Sequence, residues 1–272
     1  MPEFPDVELY KQRFEAHALH RRIESVVLRD RPLLSGASAQ ALQKALLAHR
    51  FVISKRHGKY LFLGIDTGRW LAAHFGMSGA LEYADSEDES VQYERLRLVL
   101  EHGGRLSYTS RRRLGRITLI DDPQAFIEEK RLGPDALGIA AREFETRFGT
   151  KRGTVKSALM DQTTLAGIGN IYSDEVLFQS GLHPRTPVER LEKKSLAQLY
   201  RTTQRVLQAA VEAEADPHHF PDGFLTPHRR EGAVCPRCGG TVKRMQIGGR
   251  SSYFCERCQP PLSSGSRRPE RV

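Results

Sequence analysis

Four cysteines near the end of the chain have the spacing of a metal site. They form two pairs, Cys235 with Cys238 and Cys255 with Cys258, with sixteen residues between the pairs, and the sequence contains no other cysteine. Two thiolates at this spacing can bind one tetrahedral ion, and two such pairs complete a four-sulfur shell. A closed shell leaves no open position for substrate. The pattern therefore predicts one structural Zn²⁺ in a reducing compartment rather than a disulfide scaffold.

The residues between the two cysteine pairs predict a β-hairpin, with strands at 241–245 and 251–254. Bound metal gives so small a segment a rigid base that hydrophobic burial could not supply, and it fixes the position of basic side chains such as Arg250. The surrounding sequence is the most basic part of the chain, with ten Lys or Arg and three acids between residues 229 and 272. The hairpin is therefore a candidate site for an anionic ligand.

A stretch rich in glycine, residues 165–172, precedes a predicted helix that ends at Gly181. Gly167 and Gly169 allow a tight backbone path, and Asn170 can cap the helix that follows. Free amide groups at such a helix start can bind phosphate. The alternative is a glycine turn with an ordinary asparagine cap. The basic hairpin downstream favours the phosphate site.

Composition limits the classes of function. Lys and Arg total 42 against 33 acids, which gives a net charge of +9. A positive excess suits a polyanionic partner because each neutralised phosphate releases a counterion; the alternative is a basic protein without such a partner. No stretch approaches the roughly eighteen apolar residues of a membrane-spanning helix, and the acidic start of the chain has no apolar signal region. We therefore expect a soluble, cytoplasmic protein with no membrane partner.

A length of 272 residues predicts two domains with a small appendage. Within them, helical and strand-like spacing of apolar residues indicates the elements that position the candidate site residues. Residues 5–20 predict a helix with Val7, Tyr10 and Phe14 on one face. Short apolar runs between residues 23 and 120 predict the strands of an antiparallel β-sandwich. They lie at 60–65, 70–74, 96–100 and 105–108, with a turn at 102–104. The acidic residues 85–89 predict a solvated loop.

After residue 134 the pattern becomes helical. Ser195 predicts the N-cap of a long helix, one face of which carries Leu196, Leu199, Thr203, Val206, Ala210 and Val211. Prolines and glycines at 216–227 predict a linker, and the composition beyond Gln259 predicts a disordered tail.

Taken together, the motifs resemble the formamidopyrimidine-DNA glycosylase / endonuclease VIII family of bifunctional DNA repair glycosylases. The resemblance covers nearly the whole chain in order, apart from about the last dozen residues. It rests on the zinc hairpin at 235–258 and on six further segments: PEFPDVE at 2–8, GKY at 58–60, HFGMSG at 74–79, YT at 108–109 with RRLG at 112–115, LMDQ at 159–162 and GIGNIY at 167–172. Any one of these could be accidental, but all of them in register are hard to explain otherwise.

The resemblance implies an α+β multidomain protein. Residues 1–130 would form a catalytic domain, a helix plus an antiparallel β-sandwich, and residues 131–228 a helix-two-turn-helix DNA-binding domain. Residues 229–260 would form the four-cysteine zinc β-hairpin and residues 261–272 a disordered tail. The implied partner is damaged double-stranded DNA, bound by a monomer that holds one structural Zn²⁺ and lies with the nucleoid of a bacterial-type cell.

The resemblance also assigns the catalytic residues. Pro2, exposed by removal of Met1, would be the nucleophile, because a terminal secondary amine keeps an appreciable neutral fraction near neutral pH. Its attack on C1′ would expel the damaged base and give an iminium ion, and β,δ-elimination would then cleave the strand. Glu3 resembles the family's proton shuttle. Lys59 resembles its second essential acid or base and a phosphate contact. Without their register with Pro2, Glu3 and Lys59 would be interpreted as solvated surface charges.

Seven further residues are implied to bind DNA. Asn170 and Arg250 match the pair that holds the phosphates flanking the lesion. Met77, Arg112 and Leu114 match the side chains that fill the gap left by the everted base, although sheet packing would be the ordinary interpretation of Met77 and Leu114 alone. His74 and Arg113 lie in the same two motifs.

Several positions depart from the family pattern. Ser110 and Arg111 stand where the family commonly has Asp-Pro, so the sequence leaves open which of Arg111, Arg112 and Arg113 enters the base stack. Leu114 replaces the usual phenylalanine, and Asp6 replaces a frequent glutamate. The alternative function is a non-catalytic, zinc-containing DNA-binding protein of the same fold.

Overall fold

The computed structural model describes residues 2–86 and 90–261. Met1, part of the predicted acidic loop at 85–89 and all but the first residue of the predicted tail at 261–272 lie outside that range. The chain divides into two compact units, one ending at Arg131 and the other beginning at Leu132.

The first unit begins with helix α1, Phe4–His17, which buries Val7 and Phe14 and packs Tyr10 against the same core. The predicted face is confirmed, but the predicted end at residue 20 is wrong. The backbone of His20 has a positive φ of 68°, and its amide donates to the carbonyl of Phe51 at 2.8 Å instead of to a helical carbonyl. A strand partner distant in sequence therefore ends the helix early.

Two sheets follow in this unit. The four-stranded sheet is antiparallel in the order β1–β7–β8–β6: β1 is Ile23–Leu28, β6 Gly79–Ala84, β7 Glu94–Leu100 and β8 Arg105–Ser110. The five-stranded sheet has the order β2–β9–β5–β4–β3: β2 is Leu34–Ser35, β3 Phe51–His57, β4 Tyr60–Ile65, β5 Trp70–His74 and β9 Arg116–Ile120. The predicted sandwich is confirmed, with one addition: β2 pairs with β9 in parallel.

The main core lies among both sheets, α1 and the short helix α2, Ala39–Leu46. Strand β4 is buried on both faces. Leu61, Leu63 and Ile65 join the main core, whereas Phe62 packs against Phe126 of α3, Pro123–Glu129. This double burial explains why β4 reads as a continuous apolar run rather than an alternating one.

The second unit is mainly helical, with α4 at Ala141–Gly149, α5 at Val155–Met160, α6 at Asn170–Ser180 and α7 at Lys193–Glu212. Helix α7 buries the predicted face, except that Val211 is only half-buried. The prediction that Ser195 caps this helix is wrong: Glu192 is the N-cap, and its carbonyl accepts from Leu196 N at 3.0 Å. No helix within the described ranges is long and apolar enough to cross a membrane.

The finger at the end of the second unit is the predicted hairpin, with β10 at Val242–Ile247 and β11 at Arg250–Cys255. Its turn is Gly248-Gly249, and the φ angles of 55° and 72° suit the two-residue hairpin turns that need left-handed backbone. Gln259 fastens the end of the finger, because its side chain accepts from Cys255 N at 3.1 Å and donates to the carbonyl of Leu182 at 2.8 Å. The predicted linker contains two single-turn 3₁₀ helices, Pro217–His219 and Thr226–His228.

Candidate active site and nucleic-acid interface

Pro2 and Glu3 lie directly before α1, and the start of that helix fixes Glu3. Glu3 is its N-cap residue and is only 1% exposed. The Glu3 amide donates to Asp6 Oδ2 at 2.8 Å, as part of a reciprocal capping box. Burial raises the pKa of Asp6, against the opposing effect of that amide. The shorter acid at position 6 therefore still reaches the residue beside the predicted nucleophile.

Lys59 lies in the turn between β3 and β4, and its side chain is largely buried. Arg56 ties this turn to the first turns of α1. Its guanidinium lies 3.6 Å from the centre of the Phe4 ring, its Nε donates to Glu8 at 2.7 Å, and its Nη1 donates to the carbonyl of Gly58 at 3.2 Å. The structure thus links the turn that carries Lys59 to the helix that begins after Glu3.

His74 ends strand β5, beside the same turn. Burial, followed by the positive charge of Lys59, lowers the pKa of His74 to about 4. The imidazole is therefore neutral at neutral pH. Its Nδ1 accepts from the amide of Gly76 at 3.3 Å, which leaves the proton on Nε2. His74 accordingly offers a neutral hydrogen-bond donor next to the loop that carries Met77.

The depressed pKa of His74 predicts a loss of stability in mild acid. The unfolded chain binds this proton near pH 6.5 and the folded chain only near pH 4, so folding should lose about 3 kcal/mol as the pH falls from 6.5 to 4. His74→Asn keeps an acceptor for the Gly76 amide but does not titrate. Urea unfolding at pH 7 and pH 4.5 should show a smaller pH-dependent loss for this variant than for the wild type. Equal losses would contradict the assignment.

Met77 and Leu114 project from two neighbouring loops and are 42% and 49% exposed. Packing within a sheet does not account for either of them. Gly76 has a φ of 59°, and a Cβ there would overlap the backbone carbonyl of Leu114. Ser78 Oγ also accepts from the Arg112 amide at 3.0 Å. The two loops therefore form one composite surface, here called the wedge, made of residues 76–78 and 112–114.

Three consecutive arginines, two of them in the wedge and one directly before it, differ in their surroundings. Arg113 adopts a positive φ of 55°, and its Nε lies 3.7 Å from the carboxylate of Asp30. Arg111 and Arg112 are exposed, and no acid of the described chain pairs with either guanidinium. All three side chains are exposed, that of Arg113 to 63%, and Arg113 differs from the other two in lying close to an acid of the described chain.

Asn170 is the first residue of α6 rather than its cap. The N-cap is Gly169, which has no side chain, so the interpretation of Asn170 as an ordinary cap is wrong. Its buried Oδ1 has no hydrogen-bond partner among the described residues. Gln162 shapes the preceding loop by donating to the carbonyl of Ile168 at 2.7 Å and accepting from Gly167 N at 3.0 Å. The side-chain oxygen of Asn170 therefore takes no part in capping α6.

Arg250 lies directly after the Gly248-Gly249 turn, at the exposed start of β11. Two residues further along the same strand, Ser252 is fully buried against α6, where its hydroxyl donates to Asp174 at 2.7 Å. Side chains two residues apart share one face of a strand. Arg250 is therefore on the face of the finger that Ser252 presents to α6, the helix that begins with Asn170.

The four cysteine sulfurs lie within 4.8 Å of one another. Cys235 and Cys258 are 3.8 Å apart at sulfur, and Cys238 and Cys255 are 3.5 Å apart. A tetrahedral ion with Zn–S bonds of about 2.3 Å needs sulfurs separated by roughly 3.8 Å, so these residues fit one zinc ion. The predicted structural zinc site is confirmed.

The sequence reasoning missed the residues that hold these sites in place, chiefly Arg56, Asp30 and Asp174. The partners of each lie far away in the chain, so no local spacing indicates them. Gln162, Ser78 and Asp6, in contrast, lay inside motifs already singled out.

The fold and these sites define a class of protein: a zinc-finger protein built from an antiparallel β-sandwich with a helix, a helical second unit and a basic finger. Three family models match in order. The formamidopyrimidine-DNA glycosylase N-terminal domain matches residues 1–117, the formamidopyrimidine-DNA glycosylase H2TH domain residues 132–221, and the zinc finger found in FPG and IleRS residues 232–261. The chain belongs to the formamidopyrimidine-DNA glycosylase family.

Individual relatives agree with this assignment. The formamidopyrimidine-DNA glycosylase of Halorhodospira halophila is 34% identical over 95% of this chain and all of its own length, and that of Desulfitobacterium hafniense is 32% identical with the same coverage. Among solved structures, a complex of a Lactococcus lactis FPG mutant with DNA containing Fapy-dG has a TM-score of 0.87. Its sequence is 25% identical, and the match covers 96% of this chain and all of that one. A complex of Lactococcus lactis Fpg with abasic-site DNA has a TM-score of 0.85, with 25% identity over 95% of this chain and all of that one.

Proposed function

We propose that this protein is a base-excision-repair DNA glycosylase with abasic-site lyase activity, which removes oxidised bases through Pro2. The family assignment over three consecutive segments supports glycosylase activity. One observation carries the finer proposal. Pro2 and Glu3 stand at the start of α1, and Arg56 ties the turn that carries Lys59 to that same helix.

In the proposed reaction the imino nitrogen of Pro2, freed by removal of Met1, forms a bond to C1′ of the damaged nucleotide. The bond between C1′ and the base breaks, the base leaves with the electron pair, and Glu3 supplies a proton to it. Pro2 then loses its proton and the C1′–O4′ bond breaks, with O4′ taking up a proton, which gives the ring-opened iminium ion. That ion acidifies the C2′ proton. Lys59 then assists removal of that proton and departure of the 3′ phosphate in β-elimination, and δ-elimination releases the second phosphate.

The wedge performs the eversion step of this proposal. Met77 and Leu114 enter the space that the everted base leaves, and Arg112 contacts the orphaned partner base. Unstacking a base costs a few kcal/mol, and a rigid, exposed apolar surface with a guanidinium offsets that cost. The hydrogen bond from the Gly76 amide to His74 Nδ1 fixes the first wedge loop, and Arg113 lies near Asp30 in the second. All three arginines at 111–113 are exposed, and the assignment of this contact to Arg112 rests on the register of the family motif.

Asn170 and Arg250 bind the phosphates that flank the lesion. Asn170 would donate to a phosphate oxygen from its side-chain Nδ2, and Arg250 offers five N–H donors at the tip of the finger. In this proposal the protein is a monomer that acts on damaged double-stranded DNA in the bacterial cytoplasm. We assign catalysis to residues 1–130 and DNA binding to residues 131–228 and 229–260.

Borohydride trapping tests the proposed chemistry. When sodium borohydride is present during turnover on a duplex with one ring-opened purine, reduction of the iminium ion should leave protein covalently joined to DNA, and peptide mass spectrometry should place the link on Pro2. The matched control is the same protein with one extra residue before Pro2. That residue converts the amine to an amide and should abolish the adduct. A link on another side chain, or product without any adduct, would reject the mechanism.

A further inference from the structure

Helix α6 contains a carboxylate, that of Asp174, which is completely buried and which the proposed mechanism does not use. It accepts hydrogen bonds from three separate segments: from Lys156 Nζ of α5, from Arg229 Nε at 2.9 Å, just before the finger, and from β11. The strand contributes Ser252 Oγ at 2.7 Å and Tyr253 N at 3.1 Å. One side chain therefore joins two helical segments and the finger.

The two cations of this cluster also reach Asn170. Lys156 Nζ lies 3.4 Å from the Asn170 carbonyl oxygen, and Arg229 Nη2 lies 3.3 Å from the same oxygen. Lys156 is fully buried and the Arg229 side chain is 17% exposed. Buried cations need a compensating charge, and Asp174 supplies it. The backbone at Asn170 is thus held by cations whose placement depends on Asp174.

The finger is held by the same carboxylate. Ser252 and Tyr253 bind Asp174 directly, and the Arg229 guanidinium lies 4.8 Å from the centre of the Tyr253 ring. Arg250 is two residues before Ser252 on the same strand face. A slip of the finger along α6 would break both hydrogen bonds to Asp174 and would displace Arg250 relative to Asn170.

We propose that Asp174 is a positioning residue for DNA binding, which sets Asn170 and Arg250 in register so that both hold one stretch of phosphate backbone. The proposal rests on the assignment of these two residues to phosphates in the proposed function. Asp174 touches neither DNA nor the reacting atoms. It acts through the network that joins the first residue of α6 to the first residues of β11.

A double-mutant cycle tests this role. The dissociation constant for a duplex with an uncleavable abasic-site analogue is measured, at one salt concentration, for wild type, Arg250→Ala, Asp174→Asn and the double variant. We expect each single change to weaken binding by about 30-fold, as expected for a broken buried or interfacial charge pair. The double variant should bind within about threefold of Asp174→Asn, because a displaced Arg250 contributes little to DNA affinity and its removal costs little more. If the double variant, folded and with zinc bound, loses affinity by the product of the two single losses, the two residues act independently and the proposal is overturned.

The neighbouring carboxylate provides the matched control. Glu175 is equally buried but binds Leu225 N at 3.1 Å and Thr226 N at 2.7 Å in the linker, not the finger. In a Glu175→Gln background, Arg250→Ala should keep its full effect. If Asp174→Asn does not fold, Ser252→Ala can replace it, because it removes one hydrogen bond to the same carboxylate. Ser252→Ala should show the same kind of coupling to Arg250→Ala in DNA affinity, but a smaller one. Independent losses of affinity in these two variants would equally reject the proposal.

Measurements of kcat and KM distinguish a positioning role of Asp174 from a role in the proposed chemistry. At saturating DNA, Asp174→Asn should excise the base within about threefold of the wild-type kcat while KM rises. A fall in kcat alone, with KM unchanged, would contradict a positioning role. If the wild type gives no borohydride adduct, the proposed chemistry fails, and the binding cycle still decides whether Asp174 positions Arg250.

Discussion

Glu3→Gln should lower base excision by about 10³-fold while cleavage of a preformed abasic site stays within about tenfold of wild type. Glutamine has nearly the same size but cannot deliver a proton to the departing base. An abasic site has no base to expel, and Pro2 can still attack its C1′. The capping-box contact from the Glu3 amide to Asp6 uses the backbone and persists in the variant. The two activities of one active site should therefore separate.

Single-turnover assays on two duplexes, one with a ring-opened purine and one with a preformed abasic site, measure this separation. Glu15→Gln is the matched control, since it makes the same change near the other end of α1, where Glu15 pairs with Lys11 at 3.0 Å. It should react like the wild type on both duplexes. An equal loss of both activities in Glu3→Gln would mean that Glu3 serves a step common to the two reactions.

Removal of zinc should weaken binding to the abasic-analogue duplex by at least about 100-fold while the β-sandwich stays folded. A structural zinc site of this kind contributes on the order of 10–16 kcal/mol to folding at neutral pH. The buried apolar cluster at the finger is small, consisting of Phe178, Leu225, Cys235, Val242 and Cys255, and two of its five members are zinc ligands. Without the metal the hairpin cannot hold Arg250, and a phosphate contact is lost.

The one tryptophan of the chain reports the folding of the β-sandwich separately from that of the finger. Trp70 lies in β5, beneath Lys55 in the first unit, so its fluorescence reports the sandwich alone. Chelation should leave the Trp70 emission unchanged while fluorescence anisotropy of labelled DNA shows the loss of binding, and added zinc should restore it. Cys238→Ser should reproduce the effect without a chelator. Unchanged affinity in metal-free protein would remove the finger from the DNA interface.

Local sequence signals predicted those elements whose limits are set locally. Strands β4 and β5 have the predicted bounds because turn residues border each short apolar run. The finger was predictable because its cysteine spacing and its glycine turn are both encoded within 24 residues. The end of α1 was not, because it depends on Phe51, more than thirty residues further along the chain. The start of α7 was missed because backbone geometry at Glu192, rather than a hydroxyl at Ser195, begins the helix.

The candidate site likewise contains residues that the sequence indicated and residues that it did not. Pro2, Glu3 and Lys59 gain their meaning only from their joint register, and resemblance supplied it. The residues that position them could not be predicted: Arg56 acts through an aromatic ring and an acid on α1, and Asp174 lies in a helix segment buried on all sides. A buried carboxylate is stable only with its partners in place, and three of its four partners come from segments more than fifty residues away.

The anchoring of Gln259 to Leu182 has a practical consequence for attaching fluorophores or affinity handles. Leu182 follows the last turn of α6, whereas Asn170 begins it, and eleven residues of helix span about 16 Å. An appendage joined after Pro261 therefore departs from the far end of that helix. Under the proposed assignment of Asn170 to a flanking phosphate, such an appendage, put in place of residues 262–272, leaves the DNA-binding end of α6 clear. An appendage at the amino terminus would instead acylate the nitrogen on which the proposed chemistry depends.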